Sequence, residues 1–322
     1  MASVLTIILN WNCAKDTMEA IDSVMASETE PHGVDIFLVD NGSKDNSVEI
    51  LRKYFTQKNY DVVEMKDVGD VKLERKGTKK ILFYLSPKNL GFTGGNNLGF
   101  EFALKHGYEF VFLLNADAVV NKDTIKVLVE SFTDEKIACV GPKVYAYDYH
   151  GRKDYISFAG AKIDLWTCKV KKRTGFDTGQ YDEIFETSYV EGCAMMIRTS
   201  VLAHIGLFDE KFFAYWEESD WCIRAKKQGY NLLYVPASCI WHKGVTKSLM
   251  EMKPHILFFN NRNSVFFAKK HCRFWLTYII YWFFYTPFRF FLKLIIRTKN
   301  LRYTLKMLTT YWHGILSGLL SL

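Results

Sequence analysis

Ser3–Leu9 reads SVLTIIL, a β-branched apolar run too short for a helix, and it ends in the polar turn Asn10–Asn12. Thr17–Met25 then carries apolar residues at helical spacing. Asp35–Val39 (DIFLV) repeats the unit, with the turn Asp40–Asn46 and a second helical stretch, Ser47–Tyr54. Lys80–Leu85 and Phe110–Leu114 are two further runs with the character of buried strands. Strands alternating with helices predict an α/β domain with a largely parallel sheet. Such sheets bind ligands beyond the carboxyl ends of their strands, which is where Asn10, Asp40, Asn89 and Asp117 fall. Asn, Asp and Gly are also ordinary turn formers, so no single loop decides the matter.

The whole chain has 322 residues, 49% apolar and 24% charged, with Gly 20 and Pro 6. That excludes a collagen-like, low-complexity or wholly disordered protein, and allows one large domain or two ordinary ones. Lys66–Lys80 (KDVGDVKLERKGTKK) reads as an exposed, solvated loop, and 142–190 as mixed strands and loops without a decisive motif. Seven cysteines are scattered with no CxxC pair. They suggest neither a zinc site nor a disulfide framework, but reduced core residues in a cytoplasmic setting. The start, MASVLTIILNWN, has no basic n-region and does not read as a secretory signal.

Four constellations carry chemistry. Val39–Ser43 (VDNGS) puts a carboxylate at a strand end, where it can accept from a nucleobase imide. Asn89–Asn97 (NLGFTGGNN) has three glycines in five residues, a backbone that a ligand can approach, with an Asn pair suited to sugar or base hydrogen bonds. Leu113–Ala118 (LLNADA) delivers Asp117 to the end of an apolar strand, a hard oxygen ligand for magnesium or manganese. Phe212–Arg224 (FFAYWEESDWCIR) is the strongest: Glu217, Glu218 and Asp220 stand within an aromatic stretch, where burial raises some carboxyl pKa values. Capping of a helix N-terminus is the plainer use of such acids. Downstream, Ile240-Trp241-His242 ends another strand-like run, placing a histidine where it could ligate a metal.

Together these stretches, in this order and spacing, resemble the family-2 glycosyltransferases with the GT-A fold, most of all the rhamnosyltransferase and galactofuranosyltransferase branch. The likeness covers about residues 3–245. Glu191–Arg198 (EGCAMMIR) resembles that branch's glycine-centred strand before the catalytic helix. Asp117 matches the last position of the metal-binding DxD-type motif, whose first position is Asn115 here. Glu218 matches the catalytic base, where the family more often has Asp, and His242 matches a metal ligand. Asp40 matches the residue that binds the base. The resemblance implies a nucleotide site of Asn10, Trp11, Asp40, Asn41, Asn89, Gly95, Asn96 and Asn115. It implies a sugar and acceptor site of Glu191, Gly192, Trp216, Glu217, Asp220 and Trp241, and Mg2+ or Mn2+ on Asp117 and His242. The chemistry implied is inverting transfer from a nucleotide-diphosphate sugar, dTDP-rhamnose or a UDP-sugar, to a lipid-linked or polysaccharide acceptor in cell-surface glycan synthesis. A glycosidase would also use carboxylates, but needs neither nucleotide-binding strand ends nor a metal.

The charge is uneven. Residues 1–249 carry 31 Lys/Arg and 34 Asp/Glu, whereas 250–322 carry 11 and 1. Phe274–Phe288 (FWLTYIIYWFFYTPF) is uncharged but short for a span and holds Pro287. Arg289, Lys293 and Arg297 follow at helical spacing, with Phe284, Phe288 and Phe291 opposite, and Leu301, Leu305, Leu308, Trp312 and Ile315 mark a second stripe. This pattern predicts an interfacial helix on anionic lipid. A helical pair packed on the core or in an oligomer interface is the alternative, and a nucleic-acid patch fits poorly because the charge accompanies a dense apolar run. The expected architecture is therefore a Rossmann-like, mostly parallel GT-A domain over 1–245 and a helical membrane-associating region over 246–322. It would work peripherally at the cytoplasmic membrane face, and a homo-oligomer is left open. The rival function is a catalytically silent, membrane-attached sugar-nucleotide-binding or scaffold protein, against which Asp117, Glu218 and His242 all argue.

Overall fold

A computed structural model describes residues 2–67, 79–166, 169–244, 253–280 and 300–320, with scattered positions between 282 and 296. The first half is β1 (Ser3–Asn10), α1 (Ala14–Met25), β2 (Gly33–Asp40), α2 (Ser47–Lys58), β3 (Val62–Met65), β4 (Ile81–Leu85), α3 (Gly91–His106), β5 (Phe110–Asn115), β6 (Ala118–Val120) and α4 (Thr124–Glu130). Then come β7 (Ile137–Ala146), β8 (Tyr155–Phe158), β9 (Ala161–Asp164), β10 (Lys169–Lys172), β11 (Gly175–Phe176), β12 (Phe185–Glu186), β13 (Ala194–Arg198), α5 (Thr199–Ile205), α6 (Glu217–Lys227) and β14 (Asn231–His242). Three helices close the described chain: α7 (Pro254–His271), α8 (Trp275–Ile280) and α9 (Leu301–Leu320).

The strands lie in the order β11-β8-β7-β13-β5-β1-β2-β4-β3. From β5 to β3 all neighbours are parallel, as the alternating runs predict. Helices cover both faces of this half, so β1 and β2 can be apolar almost throughout; Leu5, Ile8, Ile36, Phe37, Leu38 and Val39 have no exposed surface. On the other side β13 inserts antiparallel between β5 and β7. Long β14 runs parallel to β7, and its last residues turn antiparallel to β6, which sets His242 opposite Ala118. A histidine and an aspartate 125 residues apart thus become neighbours.

The glycine run after Asn89 departs from expectation. It is the first turns of α3 rather than a loop cradling a ligand. A Cβ on Gly99 would stand 2.5 Å from Ile7 Cδ1, and one on Gly95 3.0 Å from Leu9 Cδ1. These glycines let the helix lie close on β1, which offsets the cost of about 1 kcal/mol that each exacts in a helix.

The helices after residue 253 pack on the body. Leu257, Val265, Phe267, Ala268, Tyr278, Met307, Tyr311 and Ile315 belong to the same contiguous core as β1 and β2. A Cβ on Gly318 of α9 would stand 2.6 Å from the Arg262 carbonyl oxygen, so α7 and α9 cross at close range. The boundary expected at 245/246 therefore does not divide the core. No helix among the described residues is long and apolar enough to cross a membrane. Arg289, Phe291, Lys293 and Arg297, expected on one amphipathic face, lie outside the described residues, as do most of the loop before Lys80 and Cys168. Cys13, Cys139, Cys193, Cys222 and Cys239 are free, but Cys272 is disulfide-bonded, which corrects the expectation of reduced cysteines throughout.

Candidate active site

A cavity of about 600 Å³ opens at the carboxyl ends of β1, β2 and β5. Trp11, Asn41, Asn89, Asn96, Asn115 and Asp117 line it, joined by Phe92, Phe213 and Tyr215. The polar residues reach it because each apolar strand stops there and the next residues must leave the sheet.

Asp117 is the charged floor. Its Oδ1 is 3.1 Å from His242 Nε2, which is also 3.3 Å from Asn115 Nδ2. Burial works to raise the Asp117 carboxyl, but the hydrogen bond and charge of His242 outweigh it and hold the pKa below the usual value. For His242 burial disfavours the cation, and the Asp117 carboxylate reverses the sign and raises its pKa. Lys243 fixes the strand end: its backbone N–H donates to the Asp117 carbonyl, and its Nζ bonds Asp16 and Glu19 of α1 at 2.7 and 2.6 Å. A Cβ on Gly244 would stand 2.7 Å from Asp117 Oδ2 and 2.9 Å from His242 Nε2. Only a residue without a side chain leaves those two tips free.

Glu217 and Glu218 open α6 beside this floor. A Cβ on Gly192 would stand 3.1 Å from the Phe92 ring and 3.9 Å from Glu218 Cβ, so Gly192 leaves room between the cavity wall and the acid. One oxygen of each glutamate, Oε2, is buried without a hydrogen-bond partner. Burial raises both carboxyls, Glu217 well above its ordinary range, and the charge of Glu218 adds to the upward push on Glu217. Glu191 adds to the upward push on Glu218. Half-buried Tyr215 feels Glu217, Asp117 and Glu218 together, and all three raise its pKa further after desolvation has done so. Carboxylates from the two halves of the sheet therefore converge on one place.

Several expected site residues lie elsewhere. Asp220 is fully buried with its oxygens on Arg224, Lys270 and His271, at 2.9, 2.8 and 2.7 Å, and does not line the cavity. Those partners overcome burial and hold its pKa down at about 2. Trp216 packs its ring on Phe267, 5.0 Å away, and Trp241 stacks on Tyr145 at 5.9 Å. Gly95 faces β1. Asn10 and Asp40 are buried beneath the cavity: Asn10 Nδ2 donates to Asp40 Oδ2 at 2.7 Å, and Asp40 Oδ1 accepts from the Ser43 N–H at 3.0 Å. Asn41 is a cavity residue and also a tie, accepting from Leu90 N–H at 2.9 Å and donating to the Gly91 carbonyl at 2.9 Å.

Other participants were not evident from the sequence. Lys172 of β10 forms an ion pair with Glu191, which raises the lysine pKa against the opposing effect of burial, and the Glu218 charge adds to it. Its run, KVKKR, resembles any solvated strand. His255 and Phe259 of α7 line the cavity from a segment that composition assigns to a tail. Gly244 had one available signal, a glycine two residues after a strand-end histidine.

A parallel sheet extended by antiparallel β13 and by β14, whose last residues pair antiparallel with β6 and bring a histidine beside the acids, defines the GT-A architecture. Solved structures that share it include the following two. GalNAc-T7, solved with UDP, GalNAc and Mn2+, superposes with a TM-score of 0.57 at 17% identity, over 81% of this chain and 47% of that one. The mannosyltransferase PcManGT from Pyrobaculum calidifontis, solved in complex with GDP-Man and Mn2+, gives 0.59 at 12% identity, over 98% and 87%. Residues 5–206 match the profile described as Glycosyl transferase family 2, and 110–322 that of Glycosyl transferase family group 2. The chain belongs to glycosyltransferase family 2. Among curated relatives, the N-acetylglucosaminyl-diphospho-decaprenol L-rhamnosyltransferase of Mycobacterium tuberculosis (strain ATCC 25618 / H37Rv) is 26% identical over 87 residues, 27% of this chain and 28% of that one. The low-salt glycan biosynthesis hexosyltransferase Agl10 of Haloferax volcanii is 26% identical over 130 residues, 38% of each. Those matches span less than two-fifths of either relative.

Proposed function

We propose that this protein transfers a sugar, with inversion, from a nucleotide-diphosphate donor to a glycan or lipid-linked acceptor. One observation carries the reading: Asp117 and His242 meet at the floor of a strand-end cavity, with the Glu217–Glu218 pair beside it. Inversion by direct displacement needs a single base on the acceptor side and no covalent sugar intermediate. Glu218 is that base. Burial and the Glu191 charge raise its affinity for a proton, and burial with the Glu218 charge raises that of Glu217 as well. The negative charge of Glu191 is balanced by Lys172, so the cluster does not have to protonate throughout.

Asp117 and His242 would hold Mg2+ or Mn2+. The Asp117 carboxylate oxygen suits either cation, and the His242 imidazole suits the softer Mn2+ better than Mg2+; Gly244 leaves the space above them clear. Among the described residues no cluster of three His, Cys, Asp or Glu side chains gathers, so most coordination positions would fall to diphosphate and water. Such a cation offsets the charge of a departing diphosphate. Half-exposed Trp11 offers a ring at the cavity rim for a nucleobase, and Asp40 beneath it holds the turn on which Asn41 stands. The rhamnosyltransferase relative favours dTDP-rhamnose as donor, with a UDP-sugar as the alternative.

In this reading the acceptor lies at a membrane surface. Phe274, Ile280, Phe284, Phe288 and Ile296 are exposed large apolar residues from one stretch of chain, a concentration unusual for a wetted surface. The decisive experiment is Glu218→Gln assayed against nucleotide sugars. Turnover is expected to fall about 100-fold, the scale of a lost positioned base, with donor affinity unchanged. The wild type is expected to show an acid limb displaced upward from the ordinary glutamate value of 4.5. Near-normal turnover in the variant would remove Glu218 from the chemistry.

A further inference from the structure

The turn that delivers the acids is strained. Phe213, Tyr215 and Trp216 have φ of 62°, 72° and 77°. Bulky residues in this left-handed region are outliers that persist only where the surroundings over-determine them. On one side the turn rests on the start of α3: Thr93 N–H donates to the Phe213 carbonyl at 3.0 Å, and a Cβ on Gly91 would stand 2.3 Å from that oxygen. On the other side stands α7. Asn263 Nδ2 lies 2.8, 2.7 and 2.8 Å from the carbonyls of Phe212, Ala214 and Tyr215. Arg262 donates to the carbonyls of Lys211 and Phe212 at 3.0 and 2.8 Å. Arg262 Nε also donates to Asn263 Oδ1 at 2.9 Å, which fixes the amide so that its NH2 faces the turn. Side-chain donors from α7 thus collect successive carbonyls that no regular element would satisfy.

We propose that Asn263 and Arg262 are positioning residues, holding the Phe212–Trp216 turn in its left-handed form and so setting Glu217 and Glu218 beside the cavity. The catalytic consequence rests on the reading of Glu218 as base; the conformational one does not. α9 braces the clamp from behind, because Gly318 packs on the Arg262 carbonyl and Gly314 on that of Phe258. The segment that composition marks as a membrane tail is accordingly a working part of the acid-bearing turn.

Asn263→Asp is the direct test, since it keeps the shape and replaces the donors by a carboxylate facing carbonyl oxygens. Arg262→Met, which keeps the stem, is the second variant in case the first does not fold. Hydrogen exchange is measured peptide by peptide on the full chain, alongside steady-state kinetics with nucleotide sugars. Exchange over 212–220 is expected to accelerate at least tenfold while the peptides of β1, β2 and β5 keep their protection. kcat is expected to fall 10- to 100-fold with donor KM within threefold of wild type, and the acid limb of the pH profile is expected to move. Unchanged exchange over 212–220 in both folded variants overturns the proposal. So does accelerated exchange with kcat and pH profile intact. If the wild type turns over no nucleotide sugar, the functional reading falls, and the exchange result alone decides the clamp.

Discussion

Asp220→Asn separates the two uses that a carboxylate in the EESD run could have. Its side chain has no exposed surface, and one oxygen meets Arg224 Nε at 2.9 Å while the other meets Lys270 Nζ at 2.8 Å and His271 Nε2 at 2.7 Å. Arg224 in turn donates to the carbonyls of Ile205 and Leu207 at 2.8 and 2.7 Å, so the aspartate ties α6 both to the end of α5 and to the end of α7. Lowering a carboxyl from 3.8 to about 2 against the effect of burial corresponds to roughly 2–3 kcal/mol of folding stability at about 1.4 kcal/mol per tenfold. The isosteric amide loses this and turns its NH2 toward cations. Arg224 and Lys270 regain some water, being 22% and 36% exposed, so the loss stays below the 3–5 kcal/mol of a fully buried broken pair. About 2–3 kcal/mol is therefore expected from urea unfolding followed by tryptophan fluorescence at pH 7. The folded pKa is the depressed one, so the difference between wild type and variant is complete above the unfolded value of 3.8 and fades as pH falls through about 2. At temperatures where both are folded, donor affinity is expected to be unchanged. Equal stability combined with a hundredfold loss of turnover would refute the structural role and return Asp220 to the chemistry.

Two further outcomes are expected. Gly244→Ala places a methyl 2.7 Å from Asp117 Oδ2 and 2.9 Å from His242 Nε2, and UDP affinity measured by calorimetry with Mn2+ is expected to weaken about tenfold, the scale for disturbing the support of a metal ligand; the difference should vanish in excess chelator, and unchanged affinity with Mn2+ would count against a metal at this pair. Phe288→Glu with Ile296→Glu, at positions 65% and 71% exposed, is expected to lower co-sedimentation with anionic vesicles without moving the unfolding midpoint, and equal partitioning would remove the membrane from the account.

The parallel half of the sheet was readable because each strand is a short run of β-branched and aromatic residues that stops at a polar turn, and burial on both faces makes such runs conspicuous. Asn41, Asn89, Asn96, Asn115 and Asp117 reach the cavity by the same rule. The glycine run after Asn89 misleads because close approach to a ligand and close approach to a strand ask for the same residue; Ile7 and Leu9, some 90 residues upstream, decide between them. Glu217, Glu218 and Asp220 look alike in a line of text. What separates them is a lysine and a histidine about 50 residues downstream, which take one acid out of play and leave the other two unpaired by any cation of α7.

The C-terminal segment was hardest to read, because one composition serves two purposes. Its net positive charge suggests a surface for anionic lipid, yet Arg262 and Lys270 spend their charge on the turn and on Asp220. Its aromatics suggest lipid as well, yet Phe267 lies beneath Trp216 and Phe259 lines the cavity. Among the described residues of the segment, the exposed large apolar side chains begin at Phe274. Removing the segment after Lys253 would consequently strip out α7 and expose the core and the turn together, so loss of membrane binding in such a truncation would say little about lipid. Substitutions on the exposed face leave α7 in place. If they release the protein from vesicles while donor hydrolysis persists, α7 belongs to the catalytic body and the membrane contact begins only beyond it.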